Sequence, residues 1–159
     1  MAYLLRIRAL HAVTEIDRFA QPLRIVWLAV CAGAALAMGV MGWLSLRIET
    51  HALADHAEGA FYVVALLGAA GTAGAFALVR RMETQLSKAG TDAEAEATIR
   101  LHSVAALAAA EVPALAGALA ALLTGDLLAL AFGVPLFAFA ALLWPSDDRV
   151  SGWLRLRGL

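Results

Sequence analysis

Glu111 is the one charged residue between His102 and Asp126, and no other acid or base interrupts residues 25–46, 59–79 or 127–146. A charge sunk at the centre of a bilayer costs about 3 kcal/mol on insertion scales, so such a carboxyl is neutral, paired or turned toward a polar crevice. Two uses follow. Glu111 binds and releases a proton or cation, with Thr72 as a second polar group, or it donates one structural hydrogen bond, to Thr72 or to the carbonyl that Pro113 frees. The histidines do not extend this chemistry: His102 stands at one end of its apolar stretch, and His51 and His56 belong to a loop. No two imidazoles can face one haem, and Glu49, His51, Asp55, His56 and Glu58 are spaced too loosely for a metal site, so that loop reads as solvated and acidic. Ser45, Ser103 and Thr124 lie at the ends of apolar stretches, with no base and orienting group at a common depth. No catalysis, cofactor or metal is expected.

Small residues form the second pattern. Gly68, Gly71 and Gly74 recur at spacing three, Gly33 and Gly39 lie among alanines around Cys31, and Gly117 follows Glu111. Lipid tails are as apolar as leucine, so membrane helices associate through close backbone approach at such positions. The expectation is helix packing, within one chain or between copies.

The elements that position these residues are set by composition. Of 159 residues 62% are hydrophobic and 16% charged, with a mean hydropathy of +0.79. Soluble domains carry about a quarter charged residues, so this is a membrane composition. A formal net charge of −1 leaves no basic surplus for phosphates, which excludes nucleic acid as a partner. The single cysteine, Cys31, makes no internal disulfide.

Four stretches approach the roughly 20 apolar residues that a helical crossing needs: 24–46, 60–79, 101–123 and 127–144, the last near the short limit. The first is too long for a signal-peptide core. Arg6, Arg8, Arg18 and Arg24 precede the first stretch, Arg80, Arg81, Lys88 and Arg100 join the second to the third, and Arg149, Arg155 and Arg157 follow the fourth. Only Arg47 lies on the other side. The positive-inside rule therefore puts both termini in the cytoplasm. Trp27 and Trp43, about 24 Å apart along a helix, suit aromatic anchors at the two interfaces, and Trp144 marks the cytoplasmic end of the fourth stretch.

The expected fold is all-α: a polytopic four-helix membrane bundle, up-down-up-down, with an interfacial amphipathic helix over 1–22, the bundle over 23–144 and a cytoplasmic tail over 145–159. In the first segment Leu5, Ala9, Ala12, Ile16 and Phe19 share one face opposite Arg8, His11, Glu15 and Arg18, and Gln21-Pro22 interrupts the pattern. That face lies on the cytoplasmic leaflet or packs against the cytoplasmic hairpin. Residues 80–100 read as a helical hairpin rather than a loop, with Gly90 as a left-handed helix end and Thr91-Asp92-Ala93-Glu94 as a capping box. Leu86 then faces Ala95 and Met82 faces Ile99. Thr124-Gly125-Asp126 permits only a tight turn between the third and fourth helices. The tail alternates Leu154, Arg155, Leu156 and Arg157, which suits headgroups or a partner.

The stretch around Glu111 resembles the carboxylate hairpin of rotor-ring proteolipids of rotary ATPases. Gly68, Gly71 and Gly74 match that family's glycine-rich helix, Arg80 and Arg81 its basic turn, and Glu111-Val112-Pro113-Ala114-Leu115-Ala116-Gly117 its acid-bearing helix. The resemblance implies that Glu111 is an ion carrier. The family's Arg-Gln-Pro turn is missing, and two further stretches flank the matching pair. The chain also looks like uncharacterised bacterial four-span proteins that carry a Leu-Leu-Thr-Gly turn, as at Leu122-Leu123-Thr124-Gly125. The expected function is a non-catalytic accessory or assembly subunit of the bacterial inner membrane, in contact with lipids and with other membrane subunits or its own copies. The alternative is a proton- or cation-translocating oligomer built on Glu111.

Overall fold

A computed structural model describes residues 2–155, with side chains for 20–153 and 155. Among them are five α-helices and no strand: α1 (Ala2–Ser45), α2 (Ala57–Leu86), α3 (Asp92–Thr124), α4 (Val134–Leu142) and α5 (Asp147–Arg155). A short 3-10 turn, Ala54–His56, precedes α2, and a longer 3-10 segment, Leu127–Gly133, precedes α4. Ala20–Ser45, Ala54–Leu86 and Asp92–Thr124 are each long and apolar enough to cross a membrane, and Leu127–Leu142 with Asp147–Trp153 makes a fourth, bent candidate. Large apolar side chains cover the outside, among them Leu28, Leu36, Tyr62, Leu66, Val112 and Leu128. That surface suits hydrocarbon.

α3 is the hub. Half of its apolar window is buried, against 17% for α1 and for α2. Leucine-size neighbours cannot lie this close unless small residues face one another, and the buried side of α3 is Ala106, Ala110, Ala114, Gly117, Ala118 and Ala121. Its start is the expected capping box: the Thr91 hydroxyl accepts from the Glu94 N–H at 3.2 Å, and the Glu94 carboxylate accepts from the Thr91 N–H at 3.2 Å. Met82, Leu86, Ala95 and Ile99 are fully buried in one core cluster, the seam read from the hairpin.

Five expectations change. No helix break occurs at Gln21-Pro22; α1 runs through Pro22 for 44 residues, and the segment 1–22 is not a separate helix from Ala2 onward. Proline is tolerated where neighbouring packing holds the chain, and Ala20, Leu23 and Trp27 are buried around it. The face assignments from Leu5 to Phe19 fall outside the described side chains.

Gly90 is not left-handed, since the one positive φ among the described residues is that of Gly125. α2 ends earlier, at Leu86, and the Gly90 N–H donates to the Glu94 carboxylate at 2.9 Å. The turn is thus organised by the next helix rather than by a glycine cap on the previous one.

The last stretch is not one plain α-helix. Leu127–Gly133 winds as 3-10, then α4 follows, and the chain bends by 76° into α5. Pro135 near the start of α4 lacks the N–H that an α-helix would direct to residue 131. The 3-10 winding also lengthens the segment. Its rise of about 2.0 Å per residue, against 1.5 Å in α, stretches Leu127–Leu142 to about 28 Å instead of about 24 Å, close to the ~30 Å hydrocarbon core.

Trp27 is not an interfacial anchor. It is 1% exposed and stacks on Phe139 with centroids 6.4 Å apart. Trp43 is exposed, with the Arg47 guanidinium 5.4 Å from its ring.

The tail folds back onto the bundle. Val150 and Trp153 of α5 join the core cluster, and Arg24 of α1 donates to the Pro145 carbonyl at 2.9 Å and to Asp147 at 2.6 Å. Arg149 closes the bend through the Leu142 carbonyl. Leu156 and Arg157 lie outside the described residues.

Candidate functional site

Cys31 on α1, Thr72 on α2 and Glu111 on α3 are polar residues far from the helix ends. The buried stripe of α1 runs through Leu23, Trp27 and Ala34, with Cys31 one turn beyond Trp27 and partly buried. α3 runs alongside in the same direction; the Ser45 hydroxyl at the far end of α1 donates to the Ala121 carbonyl at 2.8 Å. Glu111 stands near the middle of α3, between the buried residues Ala110 and Pro113. It is partly exposed, at the margin between the buried face of α3 and the outward row Val104, Ala108, Val112, Leu115 and Leu119. Among the described residues its carboxyl has no hydrogen-bond or ion-pair partner.

No hydrogen bond joins Glu111 to either structural partner expected for it, Thr72 or the Ala109 carbonyl. Thr72 lines an open apolar groove of about 480 Å3 between α2 and the last segment, with Gly68, Phe76, Phe132 and Pro135 among its walls. Pro113 leaves the Ala109 carbonyl without its i+4 donor, and that oxygen points at Gly71 of α2, 2.6 Å from where a Cβ would be. Its neighbour is therefore a Gly71 Cα–H, the weak contact that recurs where helices cross closely. Glu111 is not among the residues that line the groove beside Thr72.

The glycines divide in the same way. Gly68 and Gly71 pack on Pro113, and a Cβ at Gly117 would overlap the Ala129 carbonyl, so the 3-10 segment lies directly on α3 there. Gly33, Gly39 and Gly74 have nothing within 4 Å of a Cβ position. On α1 that leaves Gly33 and Gly39 on an outward surface with Ala29, Ala32 and Ala35.

The end of α3 is closed by the preceding loop. A helix leaves its last four carbonyls without donors. Here Ala121 receives the Gly125 N–H at 3.0 Å, Leu122 the His51 Nδ1 at 3.1 Å and Leu123 the Leu53 N–H at 2.9 Å, while the Thr124 hydroxyl turns back to the Ala120 carbonyl at 2.7 Å. His51 is therefore a capping donor from Nδ1, a role its loop position did not suggest. Among the described residues no group of three His, Cys, Asp or Glu side chains is arranged to hold a metal ion.

Cys31 is the residue the sequence reading passed over. Its i+4 spacing from Trp27 and its place before Ala34 put it on the buried stripe, and that periodicity was the available signal. No family model, curated protein or solved structure matches the chain, so the likeness to rotor-ring proteolipids rests on its own residues alone.

Proposed function

We propose that this chain is a non-catalytic subunit of a bacterial inner-membrane complex, both termini in the cytoplasm, that works by packing against other membrane subunits. One observation carries the reading: Glu111, alone in charge at mid-span, stands at an outward margin without a partner among the described residues. A carboxyl at that depth is stable when a neighbour supplies the donor. The glycine-lined outward face of α1 supports the same reading, because close helix approach needs small residues left open.

Solubilisation in a mild detergent followed by native sizing tests the proposal. The expected result is a particle larger than the monomer that contains a second membrane protein in fixed ratio. A monomer alone overturns it. A second reading, in which Glu111 carries protons or cations within an oligomer, draws on the same depth. It predicts a liposome ion flux that Glu111→Gln abolishes.

A further inference from the structure

We infer that the groove between α2 and the last segment seats one acyl chain of a phospholipid whose headgroup joins a phosphate to a terminal ammonium, as in phosphatidylethanolamine, with the phosphate on Arg80 and the ammonium on Glu83. This site does not depend on the packing role proposed above.

The groove fits a chain rather than a helix. Ala65, Ala69, Thr72 and Phe76 line it along α2, with Phe132 and Pro135 of the last segment across from them. From Ala65 to Phe76 is about 16 Å along the helix axis, and one leaflet of the ~30 Å hydrocarbon core is about 15 Å deep. A volume of about 480 Å3 spread over that length leaves a slot roughly 6 Å across, whereas a helix with its side chains measures about 10–12 Å. A single row of methylenes fills such a slot.

Charge selects the headgroup. Arg80 is the first charged residue after the apolar stretch 59–79; it follows Phe76 by four residues and Glu83 follows by seven, so both continue the groove's face of α2. Both are exposed, and neither side chain has an ion pair or hydrogen bond among the described residues. Helical side chains lean toward the helix N-terminus, which for α2 is toward the groove. Arg80 thus stands at the mouth, and Glu83 lies about 4.5 Å further along the axis. In an ethanolamine headgroup the ammonium lies an oxygen and two carbons beyond the phosphorus, in the same order and direction. A guanidinium suits phosphate oxygens, and the neighbouring carboxylate disfavours a headgroup that is only anionic. Arg81 is exposed as well but turned about 100° around α2 from Arg80.

The test is native mass spectrometry of the full-length chain in detergent, offered phosphatidylethanolamine and phosphatidylglycerol with identical chains, together with cross-linking by a phosphatidylethanolamine that carries a diazirine in one acyl chain. One phosphatidylethanolamine is expected to be held about fivefold more tightly than phosphatidylglycerol, the effect of a single charge near a membrane surface. The diazirine should label residues 65–76 or 132–135. Glu83→Gln should erase the difference between the lipids, Arg80→Gln should weaken both, and Ala69→Leu, which fills the slot, should move the cross-links elsewhere. Arg81→Gln should change neither readout. Circular dichroism confirms that each variant is folded, and Ala73→Leu serves if Ala69→Leu is not. Equal retention of the two lipids overturns the inference, as does a preference that survives in Glu83→Gln, a loss in Arg81→Gln equal to that in Arg80→Gln, or acyl cross-links that avoid the groove because a protein helix covers it.

Discussion

The Ala129 carbonyl of the last segment lies where a side chain at position 117 would begin, so Gly117 sets how closely that segment meets α3. The oxygen belongs to backbone and cannot rotate away. Gly117→Ala should therefore destabilise the bundle by about 1–3 kcal/mol, the usual range for overpacking. Gly33→Ala, which meets nothing within 4 Å, should be neutral or stabilising by up to about 1 kcal/mol, since alanine is the better helix former. Thermal unfolding in detergent separates the two. Equal melting temperatures would show that the 3-10 segment does not rest on α3.

Trp27 is nearly fully buried, and its indole N–H has no partner among the described residues. An unmade hydrogen bond in an apolar site costs about 1–3 kcal/mol. Trp27→Phe removes that donor and keeps an aromatic ring against Phe139, at the expense of some volume. The expected outcome is a melting temperature within a few degrees of the parent, whereas Trp27→Ala should lose about 3–5 kcal/mol. A large loss in the Phe variant would mean that the N–H is engaged.

The loop cap on α3 is tested at Ser45, His51 and Gly125. Ser45→Ala and His51→Ala each remove one donor to a terminal carbonyl and should cost about 1 kcal/mol apiece. Gly125 has φ 78°, and a Cβ there would sit 2.6 Å from the His51 ring, so Gly125→Ala combines backbone strain with a clash. It should cost more than either. Hydrogen exchange at residues 120–125 should rise in all three variants; unchanged exchange would show that the loop does not close this helix end.

Arg24 ties α1 to the bend before α5, but its partner Asp147 is 60% exposed. Solvent screening keeps such a pair below about 1 kcal/mol. A double-mutant cycle on Arg24 and Asp147 should give a small coupling that fades with salt, while Arg24→Ala increases proteolysis near α5. Coupling that resists high salt would place the pair out of contact with water.

Much of this fold is legible in the sequence, because apolar length and capping chemistry are local. Thr91 and Glu94 need only each other and two N–H groups, and the spans need only their own hydropathy. The errors came where distant packing decides. Pro22 carries a local breaking signal, yet Leu23 and Trp27 hold the helix through it. Gly90 looks like a cap, but the Glu94 carboxylate four residues later takes its N–H. The 3-10 winding of Leu127–Gly133 depends on contact with Gly117, Gly42 and Met38, none of which is near in sequence. At the site, Glu111 was legible as an isolated acid. The packing of Gly71 on Pro113 and the Ala109 carbonyl was not, because the register of α2 against α3 is a tertiary fact.

Topology is accessible by labelling in a Cys31→Ser background. Ser87→Cys in the hairpin should react only with reagent that reaches the cytoplasm, and Glu49→Cys only with impermeant reagent outside. Reactivity of both from one side would contradict a single crossing by Ala54–Leu86 between them.

The position of Glu111 in hydrocarbon is measured most directly by carbodiimide labelling of the purified chain in liposomes, read by mass spectrometry. A lipid-soluble carbodiimide should modify Glu111 and no other acid in the spans, with the signal lost in Glu111→Gln. Modification by a water-soluble carbodiimide instead, with the lipid-soluble reagent inert, would place this carboxyl in water and contradict the account.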